Sequence, residues 1–526
     1  MASAPASESA SGYIHPPPLT GSARLWGTLA LSAATFMNVL DTSIANVSLP
    51  AIAGDLGVSP NQGTWVITSF GVANAIAVPL TGWLSQRFGQ VRLFTASVLL
   101  FVLTSWLCGL APNMTTLIFF RVLQGLVAGP LIPLSQSLLL SSYPKALAGV
   151  AMALWSMTTL IAPVLGPLLG GWITDNISWP WIFYINIPVG FGAAFITWGI
   201  FRKRESQTKK LPIDSVGLAL LVIWVGALQI MLDKGKELDW FHSGEVVALG
   251  IVALVGLVAF VIWELTEEHP VVDLTLFKRR NFWAGALALS VGYGLFFGNV
   301  VLLPLWLQQF MGYTATQAGM VLAPVGLMAL LLSPVVGKNI ARLDPRRLAA
   351  LAFAVFALVL WMRSNFNTQA DLVTILIPTI IQGVAMACFF IPLVTITLSG
   401  ISPEKIPAAS GLSNFARITA GSFGTSIATT IWQDRAAMHH ANLSEAVNLG
   451  STATNSALSG LASAGLTPDQ ALGTLNRLVD QQAYMLAAND VFYVSALMFL
   501  LLIPLVYLTR PTHGGAGSAD AAAGAH

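Results

Sequence analysis

The sequence predicts an all-α polytopic membrane protein made of two six-helix bundles with two further spans inserted between them, fourteen transmembrane helices in all. Three observations carry this. The 526 residues are 55% hydrophobic and 9% charged, with a mean hydropathy of +0.73, whereas a soluble domain carries about a quarter charged residues. Apolar stretches long enough to cross a bilayer core of about 30 Å recur along the chain. The first part of the chain also echoes the last at an offset of about 255 residues.

Taken in order, residues 1–24 are small, polar and Pro-rich, without the basic-then-apolar order of a cleaved signal peptide, and are expected to form a disordered cytoplasmic tail. An N-terminal bundle over 25–201 holds spans at 25–52, 63–83, 93–111, 115–140, 148–173 and 182–201. The linker 202–281 holds two extra spans, 215–232 and 246–265. A C-terminal bundle over 282–510 holds 283–310, 317–337, 346–362, 372–399, 407–432 and 489–509, and 511–526 is a second disordered cytoplasmic tail. Segment 433–488 is long and mixed in Asn, Ser, Ala and Gln, with helical patches such as ALGTLNRLVDQQAYML. It is expected to be a small periplasmic structure, either a solvated connector or a docking surface.

The basic residues orient these spans. With the N-terminus inside, the inner loops and tails hold 18 of the 25 Lys and Arg, and the outer loops hold only Lys234, Lys236, Arg363, Arg435 and Arg477. The positive-inside rule therefore puts both termini in the cytoplasm. The near-neutral charge balance gives no reason to expect a nucleic-acid partner. Cys108 and Cys388 lie inside apolar runs and read as packing residues, not as a disulfide or metal site.

The internal repeat locates the inserted pair. Pro79, Gly82, Arg87 and Arg92 recur as Pro334, Gly337, Arg342 and Arg347, and QGLVAGPLIPL from Gln124 is echoed by QGVAMACFFIPL from Gln382. Spans one to six thus match nine to fourteen, and the two between have no counterpart. Paired bundles of this kind hold substrate near the bilayer midplane and work by rocking.

Three charges stand out inside spans, where insertion costs roughly 2.5 to 3.5 kcal/mol each. Asp41 in the first span and Arg121 in the fourth lie at depths that let them meet, and an Asp beside an Arg is a candidate protonation switch. A static structural ion pair is the alternative. The positions matching them in the second half carry no charge: Phe296 stands opposite Asp41. Arg417, in the thirteenth span, is a candidate gate or a balance for substrate charge.

At these residues the chain resembles the fourteen-span drug:proton antiporters of the major facilitator superfamily, over essentially its whole length. LDTSIANVSLPAIAGDLG (40–57) resembles their first-span signature, with Asp41 as its acidic residue. GWLSQRFGQVRL (82–93) resembles the superfamily's cytoplasmic loop motif, keeping Gly82, Arg87 and Gly89; Gln86 stands at the usual acidic position, so the charge-relay form of the motif is not expected. FFRVLQGLVAGP (119–130) resembles the fourth-span motif, and this carries over proton coupling to Arg121 and a motif role to Gln124. LIAPVLGPLLGGW (160–172), with Pro163, Gly166, Pro167 and Gly170, is similar to the fifth-span antiporter motif found in exporters. Its glycines allow close helix approach and its prolines allow bending.

The resemblance implies a major facilitator fold and export of hydrophobic drugs, uncouplers or weak-acid toxins against protons. It also implies residence in the inner membrane and assembly with a periplasmic adaptor of the membrane fusion type and a TolC-like outer-membrane channel. An apolar cavity lined by Trp65, Phe70, Gln136, Trp155, Asn299, Phe390, Asn414 and Phe415 suits such ligands. No phosphate loop is present, so an ion gradient is the expected energy source and no cofactor is expected. A nutrient importer on the same scaffold is opposed chiefly by the fifth-span motif. A membrane enzyme lacks a clustered nucleophile or base, and a channel lacks a ring of charges.

Overall fold

The computed structural model describes residues 17–511 except 59, 145–146, 210–211, 236, 341 and 449. Every regular element among the described residues is helical, as expected where apolar residues dominate and backbone groups must be satisfied within each segment. Large apolar side chains point outward, with Phe195, Leu254 and Leu501 well exposed. A soluble fold would bury them, whereas lipid accepts them.

The first half runs α1 (Gly21–Asp55), α2 (Pro60–Gly63), α3 (Trp65–Ala77), α4 (Thr81–Phe88), α5 (Gln90–Gly109), α6 (Met114–Ala128), α7 (Leu131–Ser142), α8 (Ala148–Asn176), α9 (Trp181–Tyr184) and α10 (Asn186–Phe201). Short breaks divide single spans. Pro79 separates α3 from α4, which meet at 62°, because a proline removes one backbone donor and crowds the preceding turn. Gly129 and Pro130 divide α6 from α7 within one 29-residue apolar stretch. The inserted pair is α11 (Ser215–Lys234) and α12 (Gly244–Thr266). The second half runs α13 (Arg280–Phe310), α14 (Ala315–Asn339), α15 (Pro345–Arg363), α16 (Leu372–Leu398), α17 (Ile406–Ala446), α18 (Thr452–Ser463) and α19 (Pro468–Tyr507).

Ten helical stretches are long and apolar enough to cross a membrane, or twelve with each bent pair taken as one span. The expected fourteen includes two that fall outside this count, the first and the thirteenth. Both exist as long helices, α1 and α17, but each carries many polar side chains: Thr28, Thr35, Asn38 and Asp41 in the first, Ser410, Ser413, Asn414 and Arg417 in the second, all buried. These helices face protein more than lipid, so their mean hydropathy understates their place in the bundle. The ends also differ from expectation. Helix α1 already begins at Gly21, while residues 1–16 and 512–526 lie outside the described residues. Segment 433–488 is largely helical, made of the far parts of α17 and α19 with α18 between them.

The halves meet at the face that carries the basic 82–92 and 337–347 loops. A Cβ added to Gly82 of α4 would lie 2.6 Å from Ala408 Cβ of α17, and one added to Gly337 of α14 would lie 2.7 Å from the Gly149 carbonyl of α8. At the opposite face the inserted pair bridges the halves. Lys234 Nζ donates to Thr64 Oγ1 of the first half at 2.9 Å, and Ser426 Oγ of the second donates to Leu232 O at 2.9 Å. Trp224 meets Phe415 edge-on, with ring centroids 5.7 Å apart.

Candidate transport site

The most deeply held carboxylate is Asp41, 2% exposed in the middle of α1. A charge in that setting needs compensation, and three side chains supply it. Arg121 Nη1 of α6 donates to Asp41 Oδ2 at 2.6 Å. Gln124, three residues on and therefore on the same helix face, donates from Nε2 to Asp41 Oδ1 at 3.1 Å. Asn186 Nδ2, at the start of α10, donates to the same oxygen at 2.8 Å. Arg121 is itself fixed: its Nη1 also reaches Gln124 Oε1 at 2.7 Å, its Nε donates to Val66 O at 3.0 Å, and its guanidinium lies 4.3 Å from the Phe70 ring centre. Ser105 of α5 accepts from Gln124 Nε2 and Asn186 Nδ2 at 3.3 and 2.9 Å and donates to Phe183 O. Four helices of one half thus converge on a single carboxylate.

A second cluster joins the halves. Gln136 Oε1 of α7 accepts from Asn414 Nδ2 of α17 at 2.8 Å and from Ser410 Oγ. Asn414 Oδ1 accepts from Arg417 Nη2 at 2.9 Å, and the Arg417 guanidinium lies 4.5 Å from the Tyr293 ring centre and 5.6 Å from that of Phe390. Among the described residues Arg417 forms no salt bridge. Gln136, Trp155, Phe390, Asn414 and Arg417 line one cleft here, with a free volume of only ≈ 10 Å³, room for about one water molecule. The expected drug-sized apolar cavity is therefore shut at this cleft, because hydrogen bonds between Gln136, Ser410 and Asn414 draw the halves together.

The remaining expected lining residues lie elsewhere. Phe70 stacks on Arg121 in the Asp41 cluster. Trp65 lies under Lys234 at 5.4 Å, and Phe415 packs on Trp224, so both face the inserted pair. Asn299 turns its Nδ2 to Leu295 O of its own helix at 2.6 Å.

The motif residues serve helix approach and helix starts. Ser43 Oγ of α1 donates to Pro163 O of α8 at 3.2 Å, and a Cβ on Gly166 would lie 2.2 Å from that Oγ. Gly170 approaches Ile44 O less closely, at 3.1 Å for an added Cβ; the side chain of Pro167 is outside the described residues. Gly89, at φ +89°, turns the chain into α5, a backbone region that favours glycine. Arg87 lies over Trp83, 5.3 Å from its ring centre.

Sequence reasoning missed several participants. Asn186 and Ser105 are neutral and give little signal in a span. Glu205 receives the Val91 and Arg92 backbone N–H groups, both at 2.9 Å, and so caps α5 beside the place where Gln86 replaces the motif's acid; a lone acid in RKRES was its only trace. Arg363, expected in an outer loop, ends α15 fully buried, because α16 covers the turn at which the apolar run stops.

Residues 31–425 match the Major Facilitator Superfamily. The chain belongs to the major facilitator superfamily. Among related proteins, the multidrug export protein EmrB of Escherichia coli K12 is 52% identical over 506 residues, spanning 96% of this chain and 99% of that protein. The fatty acid resistance protein FarB of Neisseria gonorrhoeae is 50% identical, over 95% of this chain and 99% of its own length. The human organic anion transporter MFSD10 superposes with a TM-score of 0.60 over 93% of this chain and 100% of its own, at 12% identity, a likeness of fold alone. The EmrB relatives support multidrug efflux by a multi-pass major facilitator transporter.

Proposed function

We propose that this major facilitator protein exports hydrophobic toxic compounds across the bacterial inner membrane in exchange for protons, with both termini in the cytoplasm. The observation that supports it most is the setting of Asp41: buried, opposed by one guanidinium, and held by neutral donors that suit its ionised form. Adding a proton cancels the attraction to Arg121, whose Nη2 already lacks a partner, and loosens α1 from α6. Removing it restores the pair. The halves touch closely at the basic face, and the proton is proposed to reach Asp41 from the opposite face, the arrangement an exporter needs before substrate leaves.

Substrates follow from the cleft between the halves. Aromatic walls and one cation suit amphiphilic weak acids and uncouplers as well as neutral hydrophobic drugs. The names of the two relatives, one for multidrug export and one for fatty acid resistance, agree with that range. The helical extension formed by α17, α18 and α19 is proposed as the docking surface for an EmrA-like periplasmic adaptor, which would pass cargo to a TolC-like outer-membrane channel.

The test is Asp41→Asn in inside-out vesicles. Substrate-dependent proton release is expected to vanish while the amount of folded protein is unchanged. Undiminished release would reject the proton-coupling role.

A further inference from the structure

The second half holds a buried charge that the transport reading leaves unused. Arg363 is 0% exposed. Its Nη2 donates to Gln382 Oε1 at 2.7 Å and to Thr379 Oγ1 at 3.2 Å, both on α16. Its Nε and Nη1 have no hydrogen-bond partner, and it forms no salt bridge among the described residues. One turn further on, Phe366 stacks on Trp306 of α13 with ring centroids 6.0 Å apart. Trp306 is 1% exposed and its indole N–H is also without a partner. Arg363 therefore keeps two buried nitrogens without an acceptor.

The internal repeat shows what is missing. Arg363 stands about 255 residues after Cys108, whose thiol donates to Gln124, and Gln382 is the repeat counterpart of Gln124. In the first half a guanidinium meets that glutamine and has Asp41 as its counter-charge. In the second half the guanidinium arrives from the preceding span, meets the matching glutamine, and finds Phe296 at the position matching Asp41. A buried cation is thus left without an anion, an arrangement that low dielectric strongly disfavours. A water molecule would satisfy an N–H but leave the charge uncompensated, whereas a small monovalent anion does both.

We propose that Arg363, through Nε and Nη1, binds a small inorganic anion of the chloride class inside the second half. The anion is a fixed counter-ion: it holds α15 against α16 while the first half gains and loses its proton.

Thermal unfolding of the purified full chain in nanodiscs tests this, with chloride or bromide replacing gluconate at constant ionic strength. The midpoint of the unaltered protein is expected to rise saturably with halide. Arg363→Met should lose that rise. Gln382→Glu, which supplies a built-in carboxylate next to the guanidinium, should unfold in gluconate as late as the unaltered protein does in chloride and ignore halide, and it decides the matter should Arg363→Met fail to fold. Crystals grown in bromide should show anomalous density within about 3.5 Å of Arg363 Nε. A midpoint indifferent to halide, an equal halide response in both variants, or a neutral water in place of bromide would each overturn the proposal.

Discussion

At the residue scale, Arg121 and Arg417 divide the labour. Arg121 is locked by a carboxylate, an amide and a backbone carbonyl, whereas Arg417 is held by one amide and two aromatic faces, a looser mooring that a ligand can displace. Arg417→Gln should therefore reduce export of anionic substrates at least tenfold, the equivalent of about 1.4 kcal/mol, while neutral hydrophobic substrates fall far less; parallel transport assays with one compound of each kind check this. Equal losses would make Arg417 a structural residue. Asp41 and Arg121 were legible in the sequence because a charge inside an apolar run has few innocent explanations. Asn186 and Ser105 were not, since neutral polar residues in a span commonly bond to their own helix, and only the fold packs α10 against both α1 and α5. Arg363 was misread for the opposite reason: a charge at the end of an apolar run looks like a loop residue unless the neighbouring helix is seen to cover it.

At the element scale, helix ends explain where motif and structure part. The N-terminus of α5 presents unpaired N–H groups, and Glu205 receives two of them, combining a cap with a favourable charge at the positive end of the helix. Glu205→Ala should cost about 1 to 2 kcal/mol locally and speed hydrogen exchange of the amides of residues 91 and 92 roughly tenfold, read by mass spectrometry, with little change in α6. Unchanged exchange would show that the cap is dispensable. The helices themselves were largely foreseen, because apolar stretches bounded by basic loops are strong signals. The continuation of α17 to Ala446 and the start of α19 at Pro468 were visible only as helical patches, for beyond the membrane hydropathy no longer marks where a helix ends.

For the whole molecule, the balance between conformers rests on the crossings at the basic face. Gly337 and Gly149 come so close that any Cβ on Gly337 meets the Gly149 carbonyl. Gly337→Val is expected to favour the conformer open at that face, seen as a longer distance between spin labels placed on the 82–92 and 337–347 loops. An unaltered distance distribution would refute the assignment of that contact as the gate. The internal repeat made two matched halves legible, but not the clasp formed by the inserted pair, whose bonds to Thr64 on one side and Ser426 on the other depend on how the halves are set in space. The extension belongs to this scale as well. Removing residues 450–466 should weaken adaptor association and whole-cell resistance more than transport in proteoliposomes, and equal effects would argue for a folding role instead.

Helix α17 has a mechanical consequence. It approaches α13 at Gly424, where an added Cβ would lie 2.0 Å from Gly294 O, and runs on without a break to Ala446, about 33 Å further at 1.5 Å per residue. If it pivots there, each degree of tilt swings the far tip by roughly 0.6 Å, by the same rise. A partner gripping that tip would sense each turnover as a stroke, and a stiff grip would slow the cycle by loading the arm.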